Sequence, residues 1–256
     1  MKRPLWIVKA GSSLVAQGGL LLIREWMRQA AALQKRGIDL VWVTSGAIAT
    51  GREIRGIARV PDSLAEKQAL SAIGQARVMD HYNLALATVG SQGAQILLTV
   101  RDLKNASSLK NFKATVKQLV AWRVIPILNE NDAVATEEIK FGDNDSLAAE
   151  VALTLKAQKL VILSEVGAVR AQDPRGGMGM AVRELTLPLS RDLLKFVDVQ
   201  DRQASGIGSG GMRSKLLAAA RVARVGIEAC IAAGDTPGVL TRLAEGHAMG
   251  TQIIKK

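Results

Sequence analysis

A chain of 256 residues and 27.2 kDa can bury one substantial core, as one large domain or as two lobes sharing a sheet. Hydrophobic residues make up 48% of it with no Pro- or Gln-rich tract, which excludes a disordered chain, and aromatics are only 3%, so the core must be aliphatic. The net charge of +11 suits anionic partners such as nucleotides or carboxylate metabolites, but the basic residues are scattered without a dense run or interleaved aromatics, so nucleic acid is not expected.

Lys2 and Arg3 precede a short apolar run, yet Lys9 interrupts it too early for a signal peptide. No apolar run is long enough to span a bilayer, so no membrane association is expected. The single Cys230 excludes an internal disulfide and fits a reducing compartment, and the expected location is the cytoplasm. Its strand-like setting predicts a buried, inert thiol.

Residues 5–8 form an aliphatic strand that runs into Lys9-Ala10-Gly11-Ser12-Ser13. Backbone N–H groups and an ammonium gathered there suit a phosphate, although the pattern is not a Walker A loop. Helical spacing follows over 20–35, with Leu22, Trp26, Ala30 and Leu33 on one face and Gly37 as the stop. Residues 40–43 make a second buried strand, ending at Thr44-Ser45-Gly46-Ala47, again a hydroxyl–glycine turn opening a helix. Two such units in succession indicate βαβ architecture with a parallel sheet. A long helix over 63–89, a strand over 95–100 and a lysine-rich helix over 106–122 come next.

An apolar strand over 124–128 then meets the densest polar cluster in the chain: Asn129, Glu130, Asn131, Asp132, Asp143, Asn144 and Asp145. The last three fall where a helix over 147–155 begins, so capping accounts for two of them. The whole cluster, gathered where a buried strand ends, has the make-up of a ligand site in an open α/β sheet. Residues 160–163 form another apolar strand ending in Ser164-Glu165, and 170–183 read as a glycine-punctuated loop. The glycine-rich run 205–215 ends in Lys215 ahead of a helix over 216–225, which lets backbone approach a ligand closely. Strands over 227–232 and 251–254 complete the chain. His81 and His247 lack partner patterns, and no paired histidine or cysteine metal motif is present, so a Ser–His hydrolase and a zinc enzyme are both disfavoured.

In order and spacing, these stretches resemble the amino acid kinase family across residues 5–253. The resemblance rests on Lys9-Ala10-Gly11-Ser12-Ser13, on the segment 43–52, on Lys67-Gln68-Ala69-Leu70-Ser71-Ala72-Ile73-Gly74-Gln75 and on 127–146. It continues through Asp173-Pro174-Arg175, 208–215 and 232–239. It implies a three-layer αβα sandwich with a mostly parallel sheet, one domain whose first 150 or so residues bind the acceptor and whose remainder binds the nucleotide. It also implies transfer of the ATP γ-phosphate to the side-chain carboxylate of glutamate, with Mg2+ arriving on ATP and a homo-oligomeric assembly. A carboxylate nucleophile needs no general base, which agrees with the scarcity of histidine; phosphoryl transfer needs alignment and charge neutralisation.

By the match, Lys9 and Lys215 are the catalytic lysines and Asp145 orients them. Ser45, Gly46, Asn129, Asp132, Asp143 and Asn144 hold glutamate, with Asp132 pairing its ammonium and the Asn144 amide N–H2 donating to its α-carboxylate. Lys9, Gly11, Ser12, Ser164, Glu165, Ser209, Gly210, Gly211, Met212 and Lys215 meet the nucleotide. Where the family usually has a Leu-Thr-Asp and a later tyrosine, this chain has Leu163-Ser164-Glu165 and Arg170, and pairing of Glu165 with Arg170 is expected to compensate. The RNA-binding-like domain appended to many members is not expected. Two alternatives fit the same fold: a kinase for another acid, or a non-catalytic metabolite-binding homologue.

Overall fold

Strands whose successive side chains face opposite sides divide this aliphatic sequence between two cores, and that alternation builds the molecule. In a computed structural model that describes residues 3–59, 61–135, 144–172, 178–203 and 211–255, strand β1 (Leu5–Ala10) sends Ile7 to one side and Trp6, Val8 and Ala10 to the other. The same division holds in β2 (Asp39–Val43), β4 (Ile125–Glu130), β5 (Lys159–Ser164) and β9 (Glu228–Ala233). Strands buried on both faces must be covered on both, and helices do so. One layer contains α1 (Ser12–Lys35), α3 (Leu64–Ala87) and α9 (Val239–Ala244); the other contains α5 (Ala106–Ala121), α6 (Asn144–Leu155) and α8 (Met212–Ala223). The result is a three-layer αβα sandwich.

Eight strands form the central sheet in the order β3-β4-β2-β1-β5-β9-β10-β8, with β3 at Gly93–Leu98, β8 at Glu184–Leu187 and β10 at Thr251–Lys255. Every pairing is parallel except β9 with β10. The chain therefore moves from β1 outward on one side, then returns to lay β5 against the other side of β1. Such a reversal of strand order opens a crevice over the C-terminal strand ends.

Helix α2 (Ala47–Arg55) lies between β2 and α3, packed backbone to backbone. A Cβ added at Gly51 would stand 2.0 Å from the Leu70 carbonyl oxygen, and one at Gly74 would stand 1.9 Å from that of Ala47. Ser63 caps α3, accepting from the Glu66 N–H at 3.2 Å. Beneath these helices, Trp26, Trp42 and Tyr82 pack at ring separations of 5.7 and 6.1 Å. All three are fully buried, and each such side chain stabilises the fold by roughly 1.5–3 kcal/mol or more.

Three regions differ from the sequence expectation. The first helix begins at Ser12 rather than near 20, because Gly19 (φ 49°) joins a short N-terminal piece to the long one. The expected loop over 170–183 contains an antiparallel pair, β6 (Arg170–Gln172) and β7 (Met178–Ala181). Residues 184–203, to which the sequence reading assigned no element, form β8 and α7 (Arg191–Gln203); β8 is an edge strand and α7 is an amphipathic surface helix whose apolar face includes the buried Val197. The short α4 (Val100–Lys104) precedes α5, held by a Thr99–Asp102 capping box. Cys230 is fully buried in β9, and burial pushes its thiol up to about 12, as its strand setting predicts.

Candidate active site

Over the C-terminal ends of β1, β2, β4 and β5 the chain gathers the residues that the sequence singles out. Lys9 is the penultimate residue of β1, and its Nζ lies 2.6 Å from Asp145 Oδ1. Lys215, in the first turns of α8, places its Nζ 3.4 Å from Asp145 Oδ2. Ser214 Oγ donates to that same oxygen at 2.8 Å, and Lys215 Nζ donates to the Gly211 carbonyl at 3.2 Å. Two side chains some two hundred residues apart thus share one carboxylate.

All three charged groups are at least nine-tenths buried. Burial pushes the Asp145 carboxyl up, but the charges of Lys9 and Lys215 and hydrogen bonds from Lys9 and Ser214 together outweigh it and hold the carboxyl below its ordinary value. Among the described residues the cluster sets two lysines on one carboxylate. Ammoniums fixed in this way at a strand edge are preorganised partners for an anion.

On the β2–β4 side the polar residues form a relay of amides. Asn144, the first residue of α6, donates from Nδ2 to the Thr44 carbonyl at 2.7 Å and to Asn129 Oδ1 at 2.6 Å. Asn129 in turn donates from Nδ2 to Gln75 Oε1 at 2.7 Å. Thr44, whose N–H donates to the Leu128 carbonyl, also donates from its hydroxyl to the Tyr82 hydroxyl at 3.0 Å; Trp42 Nε1 donates to Tyr82 at 2.8 Å. The relay is therefore anchored in the aromatic core. Asp132, just beyond β4, accepts from Ser71 Oγ at 2.9 Å, and Gln68 Nε2 donates to the Ala135 carbonyl at 3.0 Å.

Ser45 and Gly46 form the turn from β2 into α2. Gly46 adopts φ 89°, the left-handed region that glycine tolerates, and a Cβ there would press on Val15 at 3.2 Å. Ser12 begins α1, and between it and α2 lies an open cleft of about 190 Å³ lined by Ser12, Ser13, Gln17, Ala49, Arg52 and Glu53 among others.

The opposite side, at β5 and α8, is held differently. The Gly11 N–H donates to the Leu163 carbonyl at 3.1 Å, tying the ends of β1 and β5. Ser164 is buried at the end of β5 and Glu165 next to it is exposed. Arg170 donates to the Gly179 carbonyl at 3.4 Å, and no ion pair joins it to Glu165. The expected compensating pair is thus not formed: Arg170 is occupied within the β6–β7 hairpin. At the start of α8, the Met212 and Arg213 N–H groups donate to Asp201 Oδ1 (2.7 Å) and Oδ2 (2.9 Å), while Arg213 pairs with Asp198 at 2.7 Å. The helix terminus expected to receive phosphate carries a carboxylate from α7.

Asp143, Ser209, Gly210 and the Asp173-Pro174-Arg175 segment lie outside the described residues. Sequence reasoning assigned no role to Gln68, Ser71, Gln75, Asp201 or Ser214. The first three recur at i, i+3 and i+7, a polar stripe on the face of α3 turned to β4 and the loop after it. That spacing was the available signal, inside a segment already noted for its overall pattern. Asp201 has no such signal, because a lone carboxylate in an amphipathic helix reads as a solvated side chain.

Residues 4–233 match the amino acid kinase family. The chain belongs to that family. It is 41% identical over 257 residues to a glutamate 5-kinase of Azoarcus sp. (strain BH72), covering 96% of this chain and 66% of that protein. A glutamate 5-kinase of Chromobacterium violaceum is 40% identical over 252 residues, covering 97% and 67%. The chain thus spans about two thirds of the length of these curated relatives. Among solved structures it resembles a Giardia carbamate kinase (TM-score 0.63, 15% identity, all of both chains) and a Giardia lamblia carbamate kinase bound to AMP-PNP (TM-score 0.63, 14% identity, 99% of both). At those identities the likeness is one of fold. No helix among the described residues is long and apolar enough to cross a membrane.

Proposed function

We propose that this protein transfers the γ-phosphoryl group of ATP to the side-chain carboxylate of L-glutamate, giving glutamyl 5-phosphate for proline synthesis. The observation that carries the reading is the pair of buried ammoniums, Lys9 and Lys215, held on the single carboxylate of Asp145. The names of the relatives support glutamate as acceptor. The attacking carboxylate is already ionised near neutral pH, so the protein has no proton to remove. Its work is to align the donor and to neutralise charge that spreads over the transferring phosphoryl oxygens.

Asp145 holds both lysine side chains in place before nucleotide arrives, so no reorganisation is needed during transfer. Losing one such donor costs roughly 2.7–4 kcal/mol of transition-state stabilisation. Gly11, Ser12, Ser164, Glu165, Gly211 and Met212 would border the nucleotide, and Asp132, Asn129, Asn144, Ser45 and Gly46 the acceptor. In this division residues up to about 150 form the acceptor lobe and the rest the nucleotide lobe. Both Asn144 amide hydrogens are committed to Thr44 and Asn129. Asn144 therefore faces an acceptor with its oxygen, suited to the ammonium, and the carboxylate-donor role expected of it passes to another group.

We assign Mg2+ to this reaction as an ion that arrives with ATP and is held chiefly by phosphate oxygens and water. Bound there, the ion supplies further neutralisation of phosphate charge. Cytoplasmic location and homo-oligomeric assembly belong to the same proposal, supported by the resemblance and by the single buried thiol. The test is a coupled assay for ADP release with glutamate titrated at saturating MgATP. Saturable, glutamate-dependent release is expected; release with another acid and none with glutamate would overturn the reading.

A further inference from the structure

The amide relay has a direction, and the direction leaves one donor over. The Thr44 carbonyl can only accept, so Asn144 must turn Nδ2 toward it. Asn144 Nδ2 also meets Asn129, so Asn129 must present its oxygen there and its own Nδ2 to Gln75. Gln75 must then accept through Oε1, which turns its amide N–H pair away from the relay. Gln75 is 8% exposed, and among the described residues its Nε2 has no hydrogen-bond partner. A buried donor without an acceptor is uncommon and calls for a specific reason.

We infer that Gln75 is a specificity-determining residue of the acceptor site, its buried N–H pair held ready for a carboxylate oxygen at the unreacting end of the amino-acid acceptor. This rests on the glutamate reading above and supplies the carboxylate donor that Asn144 cannot be. The placement agrees. Gln75 lies one turn along α3 from Ser71, which holds Asp132, and two turns from Gln68, which holds the loop at Ala135. The pocket is thereby sorted by charge. The Asn144 oxygen and the Asp132 carboxylate suit the ammonium, and the Gln75 nitrogen suits the α-carboxylate. A charge-assisted bond to a dry, preoriented amide is about twice as strong as a neutral one.

Kinetics with three acceptors separate this role from a structural one. L-Glutamate has both groups, 4-aminobutyrate lacks the α-carboxylate, and glutarate lacks the ammonium; the two analogues are measured as substrates or as competitive inhibitors. Gln75→Glu keeps an oxygen for Asn129 and deletes the donor, whereas Gln75→Met deletes both, and thermal melts establish that each variant is folded. The expected result is a loss of about tenfold to hundredfold in kcat/KM for glutamate in both variants, the worth of one hydrogen bond to a charged group. The 4-aminobutyrate constants should stay near wild type, as should the ratio of glutamate to glutarate and the KM for ATP. Equal losses with glutamate and 4-aminobutyrate, or none in the folded Gln75→Glu protein, would overturn the inference alone. A wild type that neither binds nor phosphorylates glutamate overturns the functional reading and this inference together.

Discussion

The two sides of the crevice are built by opposite means. On the proposed acceptor side, side chains bond to side chains: Asn144, Asn129 and Gln75 form a chain, Ser71 holds Asp132, and Thr44 ties the whole to a buried aromatic cluster. Two glycines press α2 onto α3 beneath it. On the proposed nucleotide side Glu165 and Arg170 are exposed, and the α8 terminus is capped by an aspartate from the surface helix α7. On the proposed function, the difference follows from what each side has to recognise. A small acid must be distinguished by hydrogen-bonding direction, which demands fixed amides, whereas phosphate can be met by backbone N–H groups and ammoniums.

The Lys9–Asp145–Lys215 cluster joins the two sides, and breaking it should have the largest effect. Lys9→Ala or Lys215→Ala should lower kcat by about a hundredfold or more, with a smaller change in glutamate affinity. Single-turnover and steady-state measurements on folded variants check this, and near-normal turnover in either would remove the lysines from the proposed mechanism.

A second break is confined to the acceptor side. Gly74→Ala places a methyl group against the Ala47 carbonyl, and Gly51→Ala does the same against Leu70, where backbone and not a flexible side chain must yield. Each should cost about 1–3 kcal/mol of stability, as overpacking does. Because the displaced helices carry Ser71, Gln75 and the Gly46 turn, KM for glutamate should rise while KM for ATP holds. Denaturant unfolding and paired titrations test it; an unchanged unfolding midpoint would show that the helices separate at little cost.

Acid should find the joint before either side. The folded Asp145 carboxyl lies below its ordinary value of 3.8, so its contribution to stability is fully present above that value and is lost as pH falls through the depressed one. Asp145→Asn removes the charge, so this variant should be less stable near neutrality yet lose less on acidification. Urea midpoints followed from about pH 6 to pH 2 measure the difference in slope. Parallel curves for the two proteins would mean that the carboxylate titrates as it does in the unfolded chain.

The same contrast explains what could be read from the sequence. The sheet was legible because strands such as 160–163 are apolar on both faces, and the strand–glycine–helix turns at Lys9 and Ser45 declare parallel connections. Asn129, Asp132, Asn144 and Asp145 stood out as a polar cluster against a buried strand. That Asn144 spends both amide hydrogens internally depends on Thr44, a hundred positions away, and no local pattern encodes it. The polar stripe of α3 was visible only as spacing inside an otherwise apolar helix. On the proposed nucleotide side α7 has a clear amphipathic period, but nothing in that pattern encodes that Asp201 reaches forward to cap α8, so the cap is not legible in the sequence.

That cap offers a smaller and sharper test. Asp201→Asn keeps an oxygen able to cap α8 but removes the negative charge from the terminus where phosphate is proposed to lie. KM for ATP should fall by about twofold to fivefold, the worth of one charge at a helix end, with kcat for glutamate little changed. A rise in KM instead would mean that the carboxylate supports the nucleotide site.

The smallest effect is expected where the sequence suggested a coupled exchange. Glu165 and Arg170 differ from the residues usual in the family, and a compensating ion pair would make their substitutions non-additive. The structure holds Arg170 on the Gly179 carbonyl, with Glu165 exposed and unconnected to it. Each therefore acts by itself: Glu165→Asp shortens an exposed side chain, and Arg170→Tyr exchanges one hairpin contact for an aromatic face. Titration of ATP against wild type, both single variants and the double variant should give free-energy changes that add to within about 0.5 kcal/mol. A larger coupling would show that nucleotide draws the two side chains together, making this side of the crevice a cross-linked surface when occupied, as the acceptor side already is without ligand.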